Sequence, residues 1–323
     1  SDYVGINSCG EISLSPSPID GSIAGGGWHF CNLSSVHARE YDTVETLAEK
    51  VFYATIIGDI QSLATNFKFL GEGTKKVCDR DRLLGVSLIG YAVCPAIRDA
   101  NTLRNLRAIA ENTDLMFSRI YNVPRSAAIS TVKPAGNSSQ LYNTPPGANV
   151  VHGTHMFRHY TVNKNSTMHK FLEDSGVERF DYAGRDYASW FRFPVSYPKG
   201  SLTVENSNAV AQMEIWKMHT VNWCHHNTSC SITYKPGEEN SIKEWLTKNQ
   251  NIVNALAFFP LYHAYGIAPI QTVDETEFEA YEMSKIDWTL YNKYGSGVDE
   301  RTKVLECGGG ACEIDFSKLV QKA

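Results

Sequence analysis

Short apolar segments alternate with longer helical patterns along most of this chain, and that alternation constrains its fold more than any other feature. Residues 84–92 are almost continuously apolar and contain two glycines, which is typical of a strand buried on both faces of a sheet. Residues 127–132 form a second such segment. Helical periodicity occupies residues 42–63, with a capping box of Asp42 and Glu45 at its start, and residues 101–120. Strands that alternate with helices predict βαβ units and a parallel sheet.

The second half of the chain continues this alternation. Its apolar patterns predict strands at 158–162, 190–195, 229–234 and 258–261, and helices at 166–174, 209–219 and 241–256. Residues 1–41 are predicted to be loop and extended structure. After Tyr294 the sequence becomes polar and rich in glycine, which predicts a flexible tail over residues 295–323. The fold class is therefore α/β.

Composition excludes several classes of protein. The 323 residues are 42% hydrophobic and 20% charged, as in an ordinary globular protein. The net charge of −5 offers no basic excess for binding nucleic acid, and no apolar run is long enough to cross a membrane. Eight cysteines in a chain of this length are too few for a disulfide scaffold. We therefore expect a cytoplasmic protein, with no membrane or nucleic-acid partner and a few redox-active thiols.

Residues 7–11, Asn-Ser-Cys-Gly-Glu, carry the densest chemistry in the chain. In an extended strand or finger-like loop, alternate side chains project to the same side. Asn7, Cys9 and Glu11 can then converge on one small molecule. An amide, a thiol and a potential base suit a reaction at two neighbouring carbons that carry hydroxyl groups.

Three further segments carry candidate functional residues. Cys31 stands in a Phe-Cys-Asn-Leu-Ser sequence after a glycine-rich turn. A loop that leaves the strand at 127–132 offers small residues, hydroxyls and backbone N–H groups to a phosphate: Lys133, Pro134, Ala135, Gly136, Asn137, Ser138 and Ser139. Near the C-terminus, Cys307 and Cys312 flank a glycine-rich spacer that lets the two thiols form a disulfide.

These motifs, in this order, resemble those of the ribonucleotide reductases. The N-terminal Asn-x-Cys-x-Glu segment pairs with Cys31 as it does in that family. Residues 82–90 and 131–139 look most like the adenosylcobalamin-dependent (class II) members, and the terminal cysteines resemble their redox pair. The resemblance covers nearly the whole chain but matches only the C-terminal half of a reductase catalytic chain.

The resemblance implies an architecture that alternation alone does not. The family folds as a ten-stranded α/β barrel of two five-stranded halves, with the reactive thiol on a central finger loop. This chain is then expected to supply the finger loop and the second half over residues 1–294, followed by the redox-active tail. A half barrel exposes sheet edges, so we expect it to need the N-terminal half, in trans or spliced. The start at Ser1 rather than Met favours a processed product, a split gene or an excerpt.

The resemblance also implies roles for the residues of the finger loop. Cys9 would carry a thiyl radical that takes the 3′-hydrogen of a ribonucleotide, while Glu11 takes the proton of the 3′-hydroxyl. Asn7 would position the substrate hydroxyls. Cys31 would be one of two thiols that become a disulfide as the 2′-hydroxyl leaves as water, and its partner would lie in the missing half. Buried structural roles are expected for Cys78 and Cys94.

The remaining expectations concern ligands and partners. The cofactor would be adenosylcobalamin. The substrate would be a ribonucleotide, in the first place a triphosphate, bound by its phosphates at residues 133–139. The dithiol of Cys307 and Cys312 would be reduced by a thioredoxin-like or glutaredoxin-like protein. No metal site is expected, although His225 and His226 lie between two cysteines.

Two alternatives remain open. One is a fragment of a class I large subunit that needs a separate radical-generating subunit. Those relatives carry adjacent tyrosines near the end of the barrel, whereas residues 286–294, which we take as the corresponding region, have separated tyrosines. The other is a non-catalytic assembly half, which the combination of finger-loop residues and tail cysteines disfavours.

Overall fold

The computed structural model describes residues 5–15, 27–182, 185–261, 268–281 and 286–294. They divide into two compact units. The first contains the described residues of Ser1–Thr154 and Tyr197–His263, and the second those of His155–Ser196 and Ala264–Ala323. The sequence predicted a single body over residues 1–294, so an interruption of the first unit by most of the second is a feature that the alternation of elements did not reveal. The predicted tail, residues 295–323, lies outside the described residues.

The first unit contains most of the secondary structure. Its strands are β1 (Gly5–Ile6), β2 (Ser13–Leu14), β3 (Asn32–His37), β4 (Leu84–Ile89), β5 (Ser130–Thr131), β9 (Cys230–Tyr234) and β10 (Leu256–Pro260). Its α-helices are α1 (Val44–Ser62), α2 (Gly71–Asp81), α3 (Ala100–Tyr121), α4 (Ser138–Leu141), α6 (Ala209–Asn222) and α7 (Glu239–Lys248).

Five parallel strands form the sheet of the first unit. β3, β4 and β5 pair in that order, and β9 pairs with β10. One parallel bridge between Val132 and Thr228 joins the two groups. The Val132 N–H donates to Asn227 O at 3.3 Å, and the Ser229 N–H donates to Val132 O at 3.0 Å. The order β3-β4-β5-β9-β10 confirms the predicted half barrel.

Helices cover one side of this sheet. All six residues of β4 are buried, as its continuous apolar sequence predicts. α1 packs on β3 and β4 and contacts α3, while α6 packs on β9 and contacts α3 and α7. The buried indoles of Trp216 and Trp223 donate to the main-chain carbonyls of Thr228 and Thr131, at 2.8 and 2.7 Å. Two tryptophans thus satisfy polar groups of the backbone beside the bridge between β5 and β9.

The second unit differs from the predicted parallel arrangement. Its strands β6 (His155–Asn163), β7 (Arg179–Asp181), β8 (Ala188–Ser196) and β11 (Ile270–Thr272) form an antiparallel sheet in the order β11-β6-β8-β7. The expectation of parallel strands throughout is therefore wrong here. The helices α5 (Thr167–Asp174) and α8 (Glu275–Ala280) accompany this sheet, and Phe171 of α5 packs beside Phe191 of β8.

Several local predictions need correction. β3 lies within the predicted loop and extended structure of residues 1–41, whereas α2 lies where no element was predicted, because it is rich in charged residues. The N-cap of α1 is Thr43 rather than Asp42, and its capping-box partner is Thr46 rather than Glu45. The helix predicted over 241–256 ends at Lys248, and the following residues lead into β10.

Buried charged side chains connect α1, the end of α2 and α3. Arg82 adopts a left-handed backbone conformation (φ 42°) at the end of α2. Its guanidinium pairs with buried Asp59 at 2.9 Å, donates to Ser62 Oγ and lies over the ring of Phe117. Asp114 is a second buried carboxylate in this group. Burial, followed by the charge of Asp114, raises the pKa of Asp59 to about 7 despite the opposing effect of Arg82.

This raised pKa makes stability depend on pH. The ordinary pKa of this carboxyl is 3.8, and its pKa in the folded protein is higher. Its contribution to the stability of the fold is therefore fully present below pH 3.8. The stabilisation is lost as the pH rises through about 7. We expect Asp59→Asn to flatten the pH dependence of the free energy of unfolding between pH 5 and 8, by on the order of 1 kcal/mol. Urea unfolding midpoints across this range measure the effect. Asp79→Asn, on the exposed face of α2, is the matched control and should keep the wild-type slope, and an equal slope in both variants would contradict the assignment.

Candidate active site

A short hairpin at the start of the chain carries the predicted reactive residues. β1 and β2 pair antiparallel, Gly5 with Leu14 and Ile6 with Ser13. Residues 7–12 connect the strands, and we call residues 5–14 the finger loop. The Gly10 N–H donates to Asn7 O at 2.9 Å, and Gly10 has a φ of +79°, which glycine adopts at little cost. A tight turn therefore presents Cys9 immediately before a glycine.

The side chains of this loop do not alternate along an extended strand as predicted. Asn7 Oδ1 accepts from the Ile12 N–H at 3.0 Å, so part of the Asn7 amide closes the turn. Cys9 is an exposed free thiol, whereas Glu11 is only 1% exposed. The turn at Gly10 separates the environments of the thiol and the carboxylate. The Asn7 Nδ2 group makes no hydrogen bond within the described part of the chain and stays available as a donor.

The backbone around Glu11 is fixed to the half barrel. Its carbonyl accepts from the Asn227 N–H at 2.9 Å and lies 3.0 Å from Thr131 Oγ1. His226 Nδ1 lies 3.4 Å from the Ser13 N–H, and His226 Nε2 lies 2.9 Å from Leu84 O. Burial lowers the pKa of His226 to about 4, so the neutral ring can donate through one nitrogen and accept through the other. The finger loop thereby docks where β5 meets β9.

Glu11 holds an unsatisfied polar atom. Its Oε2 is buried and has no hydrogen-bond partner among the described residues. An unpartnered buried carboxylate oxygen costs about 1–3 kcal/mol or more, because it has lost water without a replacement donor. The oxygen can therefore accept a hydrogen bond from a bound hydroxyl group.

Cys31 lies beside the finger loop at the entry to β3. A Cβ atom on Gly85 would come within 2.8 Å of Cys31 Sγ and 3.3 Å of Ile12 Cδ1. Glycine at this position of β4 is therefore needed for the thiol and the loop to pack together. Burial first, and then the negative charge of Glu11, raise the pKa of the Cys31 thiol well above its usual value, while Lys133 opposes them. Glu11, Cys31 and Lys133 are thus electrostatic neighbours, and Cys31 is held as a protonated thiol.

The predicted phosphate loop begins directly after the bridge between β5 and β9. The Lys133 N–H donates to Ser87 Oγ at 2.8 Å, and Ala135 has a positive φ of 52°. Gly136 and Asn137 are exposed, whereas Ser139 is buried and its hydroxyl lies 3.5 Å from Gly136 O. The N–H groups of residues 136–138 donate no hydrogen bond within the described residues. The exposed part of the loop is therefore free to bind an anion, while Ser139 serves the local fold.

The other candidate thiols and imidazoles have structural surroundings. Cys78 and Cys94 are buried. Ser130 Oγ lies 2.6 Å from His225 Nδ1, and Glu111 lies 3.0 Å from His225 Nε2, so His225 and His226 bind different groups. Within the described ranges no three His, Cys, Asp or Glu side chains gather as metal ligands would. Cys307 and Cys312 lie outside the described residues.

We take residues 286–294 as the region where class I relatives carry adjacent tyrosines. Within them, Trp288–Tyr294 form a short 3₁₀ helix in the second unit. The last parallel strand is β10, which carries Phe258 and Phe259 rather than tyrosines. Phe258 packs against the cluster around Met213 and Trp216, while Phe259 is 56% exposed.

Sequence comparisons give two distant relatives, and no protein-family model matches the chain. One is a probable adenosylcobalamin-dependent ribonucleoside-triphosphate reductase of Dictyostelium discoideum, 20% identical over 89% of this chain and 38% of the relative. The other is an adenosylcobalamin-dependent ribonucleoside-triphosphate reductase of Lactobacillus acidophilus, also 20% identical, over 97% of this chain and 45% of the relative. The chain thus spans less than half the length of either relative.

Solved structures show the same likeness in the fold. A B12-dependent (class II) ribonucleotide reductase superposes with a TM-score of 0.75 at 17% identity, covering 91% of this chain and 44% of that chain. The alpha subunit of the Actinobacillus ureae class Id ribonucleotide reductase superposes with a TM-score of 0.52 at 14% identity, covering 80% of this chain and 53% of that chain. The fold is that of part of a ribonucleotide reductase catalytic chain. Both sequence relatives and the solved structure with the higher TM-score are of the adenosylcobalamin-dependent type, and the chain's similarity to that type is what its motifs predicted.

One further property concerns membranes. Within the residues that the structure describes, every helix is too short or too polar to cross a bilayer.

The electrostatic effect of Glu11 on the Cys31 thiol can be tested directly. We expect Glu11→Gln to lower the pKa of Cys31, because it removes a neighbouring negative charge. The thiolate fraction at pH 8 should rise about tenfold for each pKa unit, and alkylation of Cys31 by iodoacetamide should accelerate accordingly. Mass spectrometry of the peptide that contains Cys31 measures the rate. Glu45→Gln, on the exposed start of α1, should leave it unchanged, and an unaltered or slower rate in Glu11→Gln would refute the pairing.

Proposed function

We propose that this chain is the C-terminal part of the catalytic chain of an adenosylcobalamin-dependent ribonucleotide reductase. It would convert ribonucleotides, in the first place triphosphates, to 2′-deoxyribonucleotides together with an N-terminal half. The observation that carries the proposal is the finger loop docked in the half barrel. It combines an exposed thiol at Cys9, a buried unpartnered oxygen on Glu11 and a partly buried thiol with a raised pKa at Cys31.

The exposed position of Cys9 fits a cofactor that must reach a thiol directly. When bound, adenosylcobalamin supplies a one-electron oxidation of that thiol through homolysis of its cobalt–carbon bond. Cys9 is the residue of this chain that would face the cofactor, because its side chain is exposed at the turn before Gly10. The triphosphate substrate is supported by the names of both curated relatives.

The first step on the substrate uses Cys9 and Glu11. The Cys9 thiyl radical takes the hydrogen atom from C3′, which leaves a carbon radical on the substrate and a thiol on Cys9. Glu11 accepts the proton of the 3′-hydroxyl through its unpartnered Oε2. Asn7 contributes its unpaired Nδ2–H as a donor to the substrate hydroxyls, since its Oδ1 is already bound to Ile12.

The second step removes the 2′-hydroxyl as water. Cys31 and a second thiol from the N-terminal half supply two electrons and two protons in all, and they end as a disulfide. One of these protons leaves with the 2′-hydroxyl as water, and the other is added at C2′. Glu11 returns its proton to the 3′-oxygen, and the C3′ hydrogen is returned from Cys9, which regenerates the thiyl. A protonated Cys31 suits this role, because a thiol can give both a proton and an electron.

Two other segments complete the proposal. The exposed N–H groups near Gly136, together with Lys133, would bind the substrate phosphates. The dithiol of Cys307 and Cys312 would exchange with the disulfide at Cys31 and then be reduced by a thioredoxin-like or glutaredoxin-like protein.

The central test is deoxynucleotide formation. We expect turnover of ribonucleoside triphosphates when this chain is combined with an N-terminal half, adenosylcobalamin and a dithiol. Cys9→Ala should lower kcat by more than about a thousandfold, because no other residue here replaces the radical carrier. Cys78→Ala, at a buried cysteine outside the site, is the matched control.

Other outcomes of that assay have defined meanings. Turnover that required a second, metal-containing subunit instead of cobalamin would favour the class I alternative. A folded complex with cofactor and both halves but without turnover would favour a non-catalytic assembly role.

The tail can be tested separately from the chemistry. In the double variant Cys307→Ser and Cys312→Ser, turnover with a thioredoxin-type protein as reductant should fall by at least about tenfold, because the shuttle dithiol is missing. Turnover with dithiothreitol should stay within about twofold of wild type. Product formation with each reductant measures this difference. Equal losses with both reductants would contradict a shuttle role.

A further inference from the structure

Asn227 makes more hydrogen bonds to the finger loop than any predicted site residue outside that loop. Its backbone N–H donates to Glu11 O at 2.9 Å. Its side-chain Nδ2 lies 3.1 Å from Gly10 O and 3.4 Å from Ser13 Oγ. One residue that is only 8% exposed thus binds the loop on both sides of Glu11.

A second asparagine fixes the orientation of that amide. Asn254 Nδ2 donates to Asn227 Oδ1 at 2.5 Å. With Oδ1 occupied as an acceptor, the Nδ2 group of Asn227 must point toward the finger loop. A Cβ atom on Gly10 would lie 3.1 Å from Ala255 Cβ, so the residue after Asn254 also contacts the loop. We call Asn227 and Asn254 the amide pair.

The amide pair lies at the join of the half barrel. Val132 donates to Asn227 O at 3.3 Å, and Thr131 Oγ1 lies 2.9 Å from the same oxygen. The backbone of Asn227 is therefore part of the bridge between β5 and β9, while its side chain reaches the residue between Cys9 and Glu11. The loop itself has only two short strands of two residues each. The position of the finger loop must therefore come from contacts such as those of Asn227.

We propose that Asn227, oriented by Asn254, is a positioning residue that sets the placement of Cys9 and Glu11 relative to the half barrel. This inference rests on the proposed function for its catalytic consequence. Its structural part, the hold on the finger loop, does not depend on that function. The side chain would act through Gly10 and Ser13 and would not touch the substrate.

Amide hydrogen exchange tests the structural part in the chain as it stands. Asn227→Ala removes the Nδ2 group and its hydrogen bonds to Gly10 and Ser13 but keeps the backbone N–H to Glu11. Asn227→Asp keeps the size and the acceptor but places a carboxylate against Gly10 O. In both variants we expect exchange in a peptide covering residues 5–14 to accelerate by roughly tenfold, with peptides covering β4 unchanged. Asn105→Ala, on the exposed face of α3, should match wild type throughout.

Variants of Asn254 test whether the two asparagines of the amide pair act together. Asn254→Ala should raise exchange in the finger loop less than Asn227→Ala does. The double variant should behave like Asn227→Ala alone, because both changes remove the same contact. Additive effects would show that Asn254 acts independently, and that result would overturn the pair.

Kinetics with the N-terminal half and adenosylcobalamin test the catalytic part. We expect Asn227→Asp to lower kcat by roughly ten- to a hundredfold and to leave KM within about twofold, since a displaced loop impairs the reaction more than substrate binding. A rise in KM with unchanged kcat would overturn the positioning role. If wild type shows no turnover, the proposed function fails, but the exchange experiment still decides the hold on the loop. Unchanged finger-loop exchange, or equal acceleration in β4, would overturn the inference.

Discussion

The parallel bridge between Val132 and Thr228 is the interaction on which the rest of the first unit depends. Without it, β3-β4-β5 and β9-β10 would be two separate small sheets. Two buried tryptophans satisfy backbone carbonyls beside the bridge, which removes the cost of burying unpaired polar groups there. The same place receives the finger loop, because Glu11 O accepts from Asn227, one residue before Thr228. The join of the sheet and the docking of the reactive loop are thus one structural feature.

The sequence predicted the parts of the fold that are set by local pattern. α3 was predicted to within about one residue at each end and β4 from its first residue, although β4 ends at Ile89 rather than at Ala92. These predictions succeeded because a fully buried strand is continuously apolar and an amphipathic helix repeats its apolar face. The bounds of β3 were not predicted within the extended structure of residues 1–41, because its sequence is largely polar and its pairing depends on partners far along the chain. The antiparallel sheet of the second unit was missed for a related reason. Pairing direction is decided by connections in space, which strand-like segments alone do not specify.

The candidate site divides in the same way. Cys9, Glu11 and Cys31 could be selected from the sequence through their motif and its resemblance to the reductases. The proximity of Glu11, Cys31 and Lys133 became visible only in three dimensions, through the electrostatic effects on the Cys31 thiol. Asn227 had no signal in the sequence, because one asparagine between a histidine and a threonine matches no motif. Its relevance comes from contacts across more than 200 positions of the chain.

The buried carboxylate of Glu11 gives the final physical argument. An unpartnered oxygen destabilises the fold, and a glutamine could have filled the same space with a neutral group. Its charge also opposes ionisation of Cys31, so the carboxylate and the thiolate are unfavourable together. These costs make sense if the site needs a base and a protonated thiol at the same time. The amide contacts of Asn227 hold the loop in a position where that combination persists, even though the loop contributes only two short strands of its own.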